Sequence, residues 1–315
     1  MEIPRELYYS WLKRETLEDR KPGPRHAPWA LSDETVSKVL ELKKQYEEIA
    51  TCYVIAIKAG ISPSSVGKIF REHAGQAKEK NPKKKCFKTV DWLKMHICWA
   101  LDSLKIASND GYVFAQLIFE EYSRSVLGWI ASFSNTAEKA KMLFENVTEK
   151  FEIMPLIAKS DRGSEFQNST VKGYLDENGI LPMPSPGNYP LFNGKLEREN
   201  SIIRKFLKPK KGGYSAEEIC ARIEKAVYVI NHELPRRIFG GKTSAEVFKN
   251  GEIYKKEEKE MLIKKAEEEI AKIEKQRIPG VDQLDVIRKG MVKSVVDMGL
   301  CVIKSGGKNV NQFAG

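Results

Sequence analysis

Three apolar segments follow one another between Ile97 and Phe133, "ICWALDSL", "GYVFAQLIF" and "SVLGWIASF", each rich in aliphatic and aromatic residues and each read as a strand. Beyond them the pattern changes: "NTAEKAKMLFENVTEKF" is helical, "MPLIAKS" is a short apolar strand, and "STVKGYLDENG" is helical again. A run of strands followed by alternating helix and strand predicts a mixed α/β sheet covered by helices, ending near Asn250. The chain has 315 residues, enough for two or three compact units.

Within this pattern three acids stand out. Asp102 lies inside the first apolar strand, where an isolated charge costs several kcal/mol unless it meets solvent, a partner or a metal ion. Asp161 follows "MPLIA" and precedes a glycine turn, which places it at the edge of the same sheet. Glu197 is separated from Asp161 by 35 residues and stands at the start of a helix that Asn193 is expected to cap and Gly194 to admit. Three hard oxygen ligands from separate elements suit magnesium, with manganese as a substitute. Two such ions about 3.5 to 4 Å apart promote in-line phosphoryl displacement.

Lys and Arg outnumber Asp and Glu by 53 to 43, and an excess of ten positive charges favours a polyanionic partner, nucleic acid first. The five cysteines contain no CxxC pair and the four histidines do not complete zinc spacing, so neither a disulfide framework nor a zinc module is expected. No apolar run approaches the ~20 residues that span a bilayer, which predicts a cytoplasmic protein.

In "AIKAGISPSSVGKIFRE" Ala56, Gly60 and Val66 have helix-turn-helix spacing, Ser62 is a cap and Pro63 suits a first helical position. With Val66, Ile69 and Phe70 inward, Ser64, Ser65, Lys68 and Arg71 face outward as the surface for a major groove. A short helix over residues 4–14 and a basic run, Lys83, Lys84 and Lys85, flank this unit. On the helix of Glu197 and the loop "KPKKGG", phosphate contacts are expected from Lys195, Arg198, Arg204, Lys205, Lys208, Lys210 and Lys211. A charged helix follows, whose stripe of Leu262, Ala266, Ile270 and Ile273 packs on its own domain or on a partner. The chain then predicts a helix over Asp285–Met298 and a hairpin around Gly306 and Gly307.

"WALD", "SDRGSEF" and "NGKLEREN", with "EEYSRSVLGW" and "YVINHELPRRIFGGKTSAEVF", resemble the catalytic core of DDE transposases and retroviral-type integrases over about Trp92 to Phe248. The resemblance implies a ribonuclease H-like fold, a metal-binding and catalytic triad of Asp102, Asp161 and Glu197, and hydrolysis at a DNA 3′ end followed by attack of the freed 3′-OH on target DNA. It departs from the family at Glu120, where many relatives have Asp, at "PRRIFGG", which lacks Pro-His, and at Ser244, which replaces a proline. Without a zinc-binding N-terminal domain the chain resembles bacterial insertion-sequence transposases more than retroviral integrases. That implies a bacterial or archaeal, nucleoid-associated protein acting on double-stranded DNA as a homo-oligomer, with or without accessory proteins of its element. Its first helical element, incomplete as a DNA-binding unit, is either a truncated start or the continuation of a separate product.

The expected division is a partial helical element and linker at 1–31, a helix-turn-helix domain at 32–76, a basic linker at 77–91, the catalytic core at 92–250 and a helix-hairpin domain at 251–315 for DNA or subunit contacts. Two other functions fit the same residues: a catalytically silent DNA-binding descendant of a transposase, and a ribonuclease H-like nuclease that cuts without joining.

Overall fold

A computed structural model describes residues 31–73, 88–186, 190–208, 211–277, 281–305 and 308–309. The expected helix over residues 4–14, Lys83 to Lys85 and Lys210 lie outside these residues. Among the described residues no helix is long and apolar enough to cross a membrane.

The chain begins with three helices, α1 (Asp33–Tyr46), α2 (Cys52–Ala59) and α3 (Pro63–His73). Thr51 caps α2 by accepting from the Val54 amide at 3.2 Å, and Ser62 caps α3 by accepting from the Ser65 amide at 3.1 Å. Between them Gly60 takes a left-handed φ of 74°, which a residue without Cβ adopts at no steric cost. Val66 and Ile69 are buried and Phe70 half-buried, while Ser64, Lys68 and Arg71 are exposed, as expected. Ser65 is only half-buried and its hydroxyl lies 2.9 Å from that of Ser62. The three helices share one apolar cluster with Ile202, Phe206, Val229 and Leu234 and so pack directly on the rest of the chain.

The central sheet contains β2 (Cys98–Ser108), β3 (Gly111–Glu120), β4 (Ser125–Ser132), β5 (Ile157–Ser160) and β6 (Leu181–Pro184) in the order β4-β3-β2-β5-β6. The first three strands run antiparallel to one another, whereas β2/β5 and β5/β6 are parallel. Alternation along β2 sends Trp99 and Leu101 to one face and Ala100 and Leu104 to the other. The first face is covered by α4 (Ala137–Phe151), α5 (Ser164–Gln167) and α6 (Ser169–Glu177) through Phe144, Phe166 and Tyr174. The second is covered by α7 (Gly194–Phe206) and α8 (Ala216–Tyr228) through Leu196, Ile203, Ile219 and Ile223. After a π-helical turn over Val229–Glu233 comes α9 (Ser244–Asn250). Strand β6 has no counterpart in the sequence reading, because Pro182 and Pro184 argue against a strand; both are tolerated at this sheet edge.

Helices α10 (Lys256–Lys275) and α11 (Gln283–Asp297) and strands β7 (Cys301–Ser305) and β8 (Lys308–Asn309) form the C-terminal unit. The stripe on α10 packs on its own chain: Leu262 and Ala266 are fully buried with Met291 and Val295. At Gly290 a Cβ would stand 2.5 Å from Ile270 Cγ1 and 3.0 Å from the Ile270 amide nitrogen, so only glycine lets α10 and α11 approach this closely. The hairpin forms, with Ser305 opposite Lys308. One boundary differs: Lys88–Trp92, which straddles the expected end of the basic linker at 91 and the start of the core at 92, is a strand, β1, whose partner is β7, with Asp91 opposite Val302. That pairing spans most of the chain and leaves no local signature.

Candidate active site

Strand register brings the first two acids together. Leu101 of β2 pairs with Ser160, the last residue of β5, so the next residue on each strand is an aspartate, Asp102 and Asp161. Asp102 lies inside its strand, the fifth residue of β2, level with the point where β5 stops. Both carboxylates are half-buried. Burial pushes the Asp102 carboxyl up to about 6, the neighbouring Asp161 charge adds to this, and the Ser103 amide and Asn200 side chain work against it. Burial also raises Asp161, with Glu165 contributing, while the Gly163 amide, donating at 2.9 Å, lowers it. At Gly163 a Cβ would lie 2.9 Å from Asp161 Oδ1 and 2.6 Å from Glu165 Oε2, so a side chain there would displace these carboxylates.

The third acid does not complete a cluster. Glu197, in the first turn of α7, is exposed, and among the described residues no three His, Cys, Asp or Glu side chains stand together as a ligand set. Three carboxylates without a cation between them repel one another, which favours a separated third acid. The residue of α7 that does reach Asp102 is Asn200, one turn after Glu197: its Nδ2 donates to Asp102 Oδ2, and its Oδ1 is buried with no partner. Sequence reading overlooked Asn200, although its position three residues after Glu197 puts the two on neighbouring parts of one helix surface. It also overlooked Glu165, which accepts from Asn135 Nδ2 at 2.7 Å. The donor set of Asp102, Asp161 and the orphaned Asn200 amide oxygen is all hard oxygen, and it fits a magnesium-type cation.

Three contacts pin α7 to the core. Lys195, expected as a phosphate contact, lies 3.4 Å from Asp91 and 3.3 Å from Glu121, and both acids hold it, with 16% of the side chain exposed. Glu199 is buried and receives both guanidinium nitrogens of Arg236, at 2.5 and 2.9 Å. Asn200 is the third. Asn193 does not cap the helix with its side chain; that oxygen accepts from the Ser185 hydroxyl at 3.0 Å instead. Of the other expected phosphate contacts, Arg198, Arg204 and Lys211 are exposed, whereas Lys205 and Lys208 are half-buried.

The departures noted in the sequence are structurally matched. Arg236 of "PRRIFGG" donates through Nε to the Ser244 hydroxyl at 2.8 Å, so the two positions that lack the family's residues complete one buried network. Glu120, fully buried, accepts from the amides of His96, Tyr122 and Ser123 and from the Ser123 hydroxyl, thereby fixing the turn from β3 to β4.

Residues 94–190 match the model of the integrase core domain family. That span contains Asp102 and Asp161 and stops before Glu197. No curated protein matches the chain. Solved structures similar to it include the HTLV-2 integrase catalytic core domain in complex with magnesium, at 16% identity and a TM-score of 0.40, covering 50% of this chain and 98% of that one. The simian T-cell lymphotropic virus intasome in complex with PP2A regulatory subunit B56 gamma shows 13% identity and a TM-score of 0.42, over 66% of this chain and 73% of that one. The catalytic core domain of BIV integrase shows 17% identity and a TM-score of 0.38, over 49% and 93% respectively.

Proposed function

We propose that this chain, a member of the DDE transposase/integrase family through the integrase core domain of residues 94–190, binds mobile-element ends, cuts DNA strands and joins the freed 3′-OH ends to target DNA. The observation that carries this reading is the register-imposed pair of Asp102 and Asp161, two half-buried carboxylates with no cationic side chain bonded to either among the described residues. Such a pair is costly to the fold and is retained where a cation offsets it. Asp102 and Asp161, joined by Glu197 through a change of side-chain conformation, would hold Mg2+ or Mn2+, which when bound supplies activation of the attacking oxygen and stabilisation of the leaving oxygen. Asn200 orients Asp102, and Gly163 orients Asp161.

The surrounding surface supports a DNA ligand. Arg198 and Arg204 are exposed on the helix that carries Glu197, with Lys211 in the following loop, and Ser64, Lys68 and Arg71 are exposed on α3 for a groove contact. Joining requires two ends in one complex, so the working form is a homo-oligomer on DNA. One observation favours a second reading, a DNA-binding chain without cutting: Glu197 stands apart from the two aspartates and beyond the matched core.

Incubation with labelled linear ends and supercoiled plasmid in Mg2+ decides between them. Joined products support transposition, cleavage alone supports a nuclease, and DNA retention with neither supports the binder and sinks the catalytic reading.

A further inference from the structure

Arg162 follows Asp161 directly, yet its guanidinium is spent elsewhere. Nε donates to the Ser185 carbonyl at 2.9 Å, one terminal nitrogen donates to Asp282 and the other to Asp285 at 2.6 Å. Both acids belong to the C-terminal unit: Asp282 is the N-cap of α11 and Asp285 sits in its first turn, where Arg288 also holds it at 2.7 Å. The same unit reaches the other acid-bearing segment. Asp91 on β1, paired in turn with Lys304 of β7 at 2.9 Å, lies 3.4 Å from Lys195, two residues before Glu197. In both places a cation close in sequence to a candidate ligand is drawn away from it.

We infer that the C-terminal unit is a clamp on the candidate active site, in which Asp282 and Asp285 hold the Asp161 loop through Arg162 and keep that positive charge off Asp161. Arg162 is thus a positioning residue. A guanidinium that swung onto Asp161 would compete with a divalent cation for the same oxygens. The unit expected to contact DNA or another subunit becomes part of the site's framework.

The test is the double variant D282N/D285N of the full chain, since Asn caps a helix as well as Asp and the change removes charge alone. Hydrogen exchange without metal is expected to quicken by about tenfold or more at residues 161–168 while β2 and β3 keep their protection. Mn2+ binding, read by electron paramagnetic resonance, is expected to weaken by about tenfold. Adding Arg162→Ala should restore Mn2+ affinity while exchange stays fast, and D282E/D285E should restore both. Asp91→Asn should quicken exchange in the first turn of α7. Unchanged exchange at 161–168, or faster exchange spread over the whole chain, overturns the clamp. The Mn2+ arm rests on the proposed function and the exchange arm does not. A wild-type chain that takes up no Mn2+ therefore defeats the catalytic reading, while exchange still decides the clamp.

Discussion

Two acidic groups lie within a few residues of each other on the same sheet and are treated in opposite ways. Glu121, just past β3, is 4% exposed, and Lys159 of β5 meets it at 2.7 Å with 5% exposure. Burial alone would raise the Glu121 carboxyl, but Lys159 and Lys195 hold it down at about 2. Asp102 and Asp161 have no cation bonded to them among the described residues; Arg204 lowers Asp102 only through its charge, and burial still pushes Asp102 up to about 6. The first group is wired: Lys159 also donates to the Phe192 carbonyl at 2.8 Å ahead of α7. Compensation marks a charge that serves the fold, and its lack marks one kept for a ligand.

The sharpest way to break this contrast is Asp161→Asn. Loss of one hard ligand is expected to reduce Mg2+-dependent strand cutting by at least about a hundredfold, with no loss of thermal stability; retained cutting in the plasmid assay would remove the distinction. Next is Lys159→Met, which takes from buried Glu121 its 2.7 Å partner and leaves Lys195 at 3.3 Å and the charge of Arg124. It should cost about 3 to 5 kcal/mol in urea unfolding, and a cost near zero would show the pair to be dispensable.

Asp102→Asn should do the reverse. A carboxyl raised from 3.8 to about 6 in the fold makes the native state hold its proton more tightly than the unfolded chain. The resulting penalty is absent below the unfolded value and fully present above about 6. The variant is therefore expected to gain up to about 3 kcal/mol at pH 7 and nothing at pH 3, as measured by unfolding at both. Glu121, with a depressed carboxyl, contributes stability above its unfolded value of 4.5 that is lost as pH falls toward 2, so the two groups slope in opposite directions. The smallest expected effect is at a site outside the comparison: Thr51→Ala removes the cap of α2 and should cost about 1 kcal/mol without altering cutting.

Much of the fold was legible because its signals are local. The strands between Cys98 and Ser132, the cap at Ser62, the turn at Gly60 and the helices α4, α10 and α11 each follow from periodicity or turn chemistry within a few residues. Strand β1 was hidden in a basic stretch because its partner lies past residue 300, and β6 was hidden by two prolines that only an edge position excuses. The ion pairs of Lys195 were hidden for a similar reason: Asp91 and Glu121 are distant in sequence, and nothing near a lysine beside a candidate ligand announces such partners.

By itself the sequence determined most of the strands and helices, and which acids stand where a charge is hard to justify, because backbone propensity, capping and burial patterns act between near neighbours. Tertiary structure alone decided that Asp102 meets Asp161 and Asn200 and not yet Glu197, and that Lys195 and Arg162 turn away from the acids beside them. Those outcomes depend on strand register and on charges brought together from opposite ends of the chain, where electrostatic energy is set by distance in space and separation along the polypeptide carries no information.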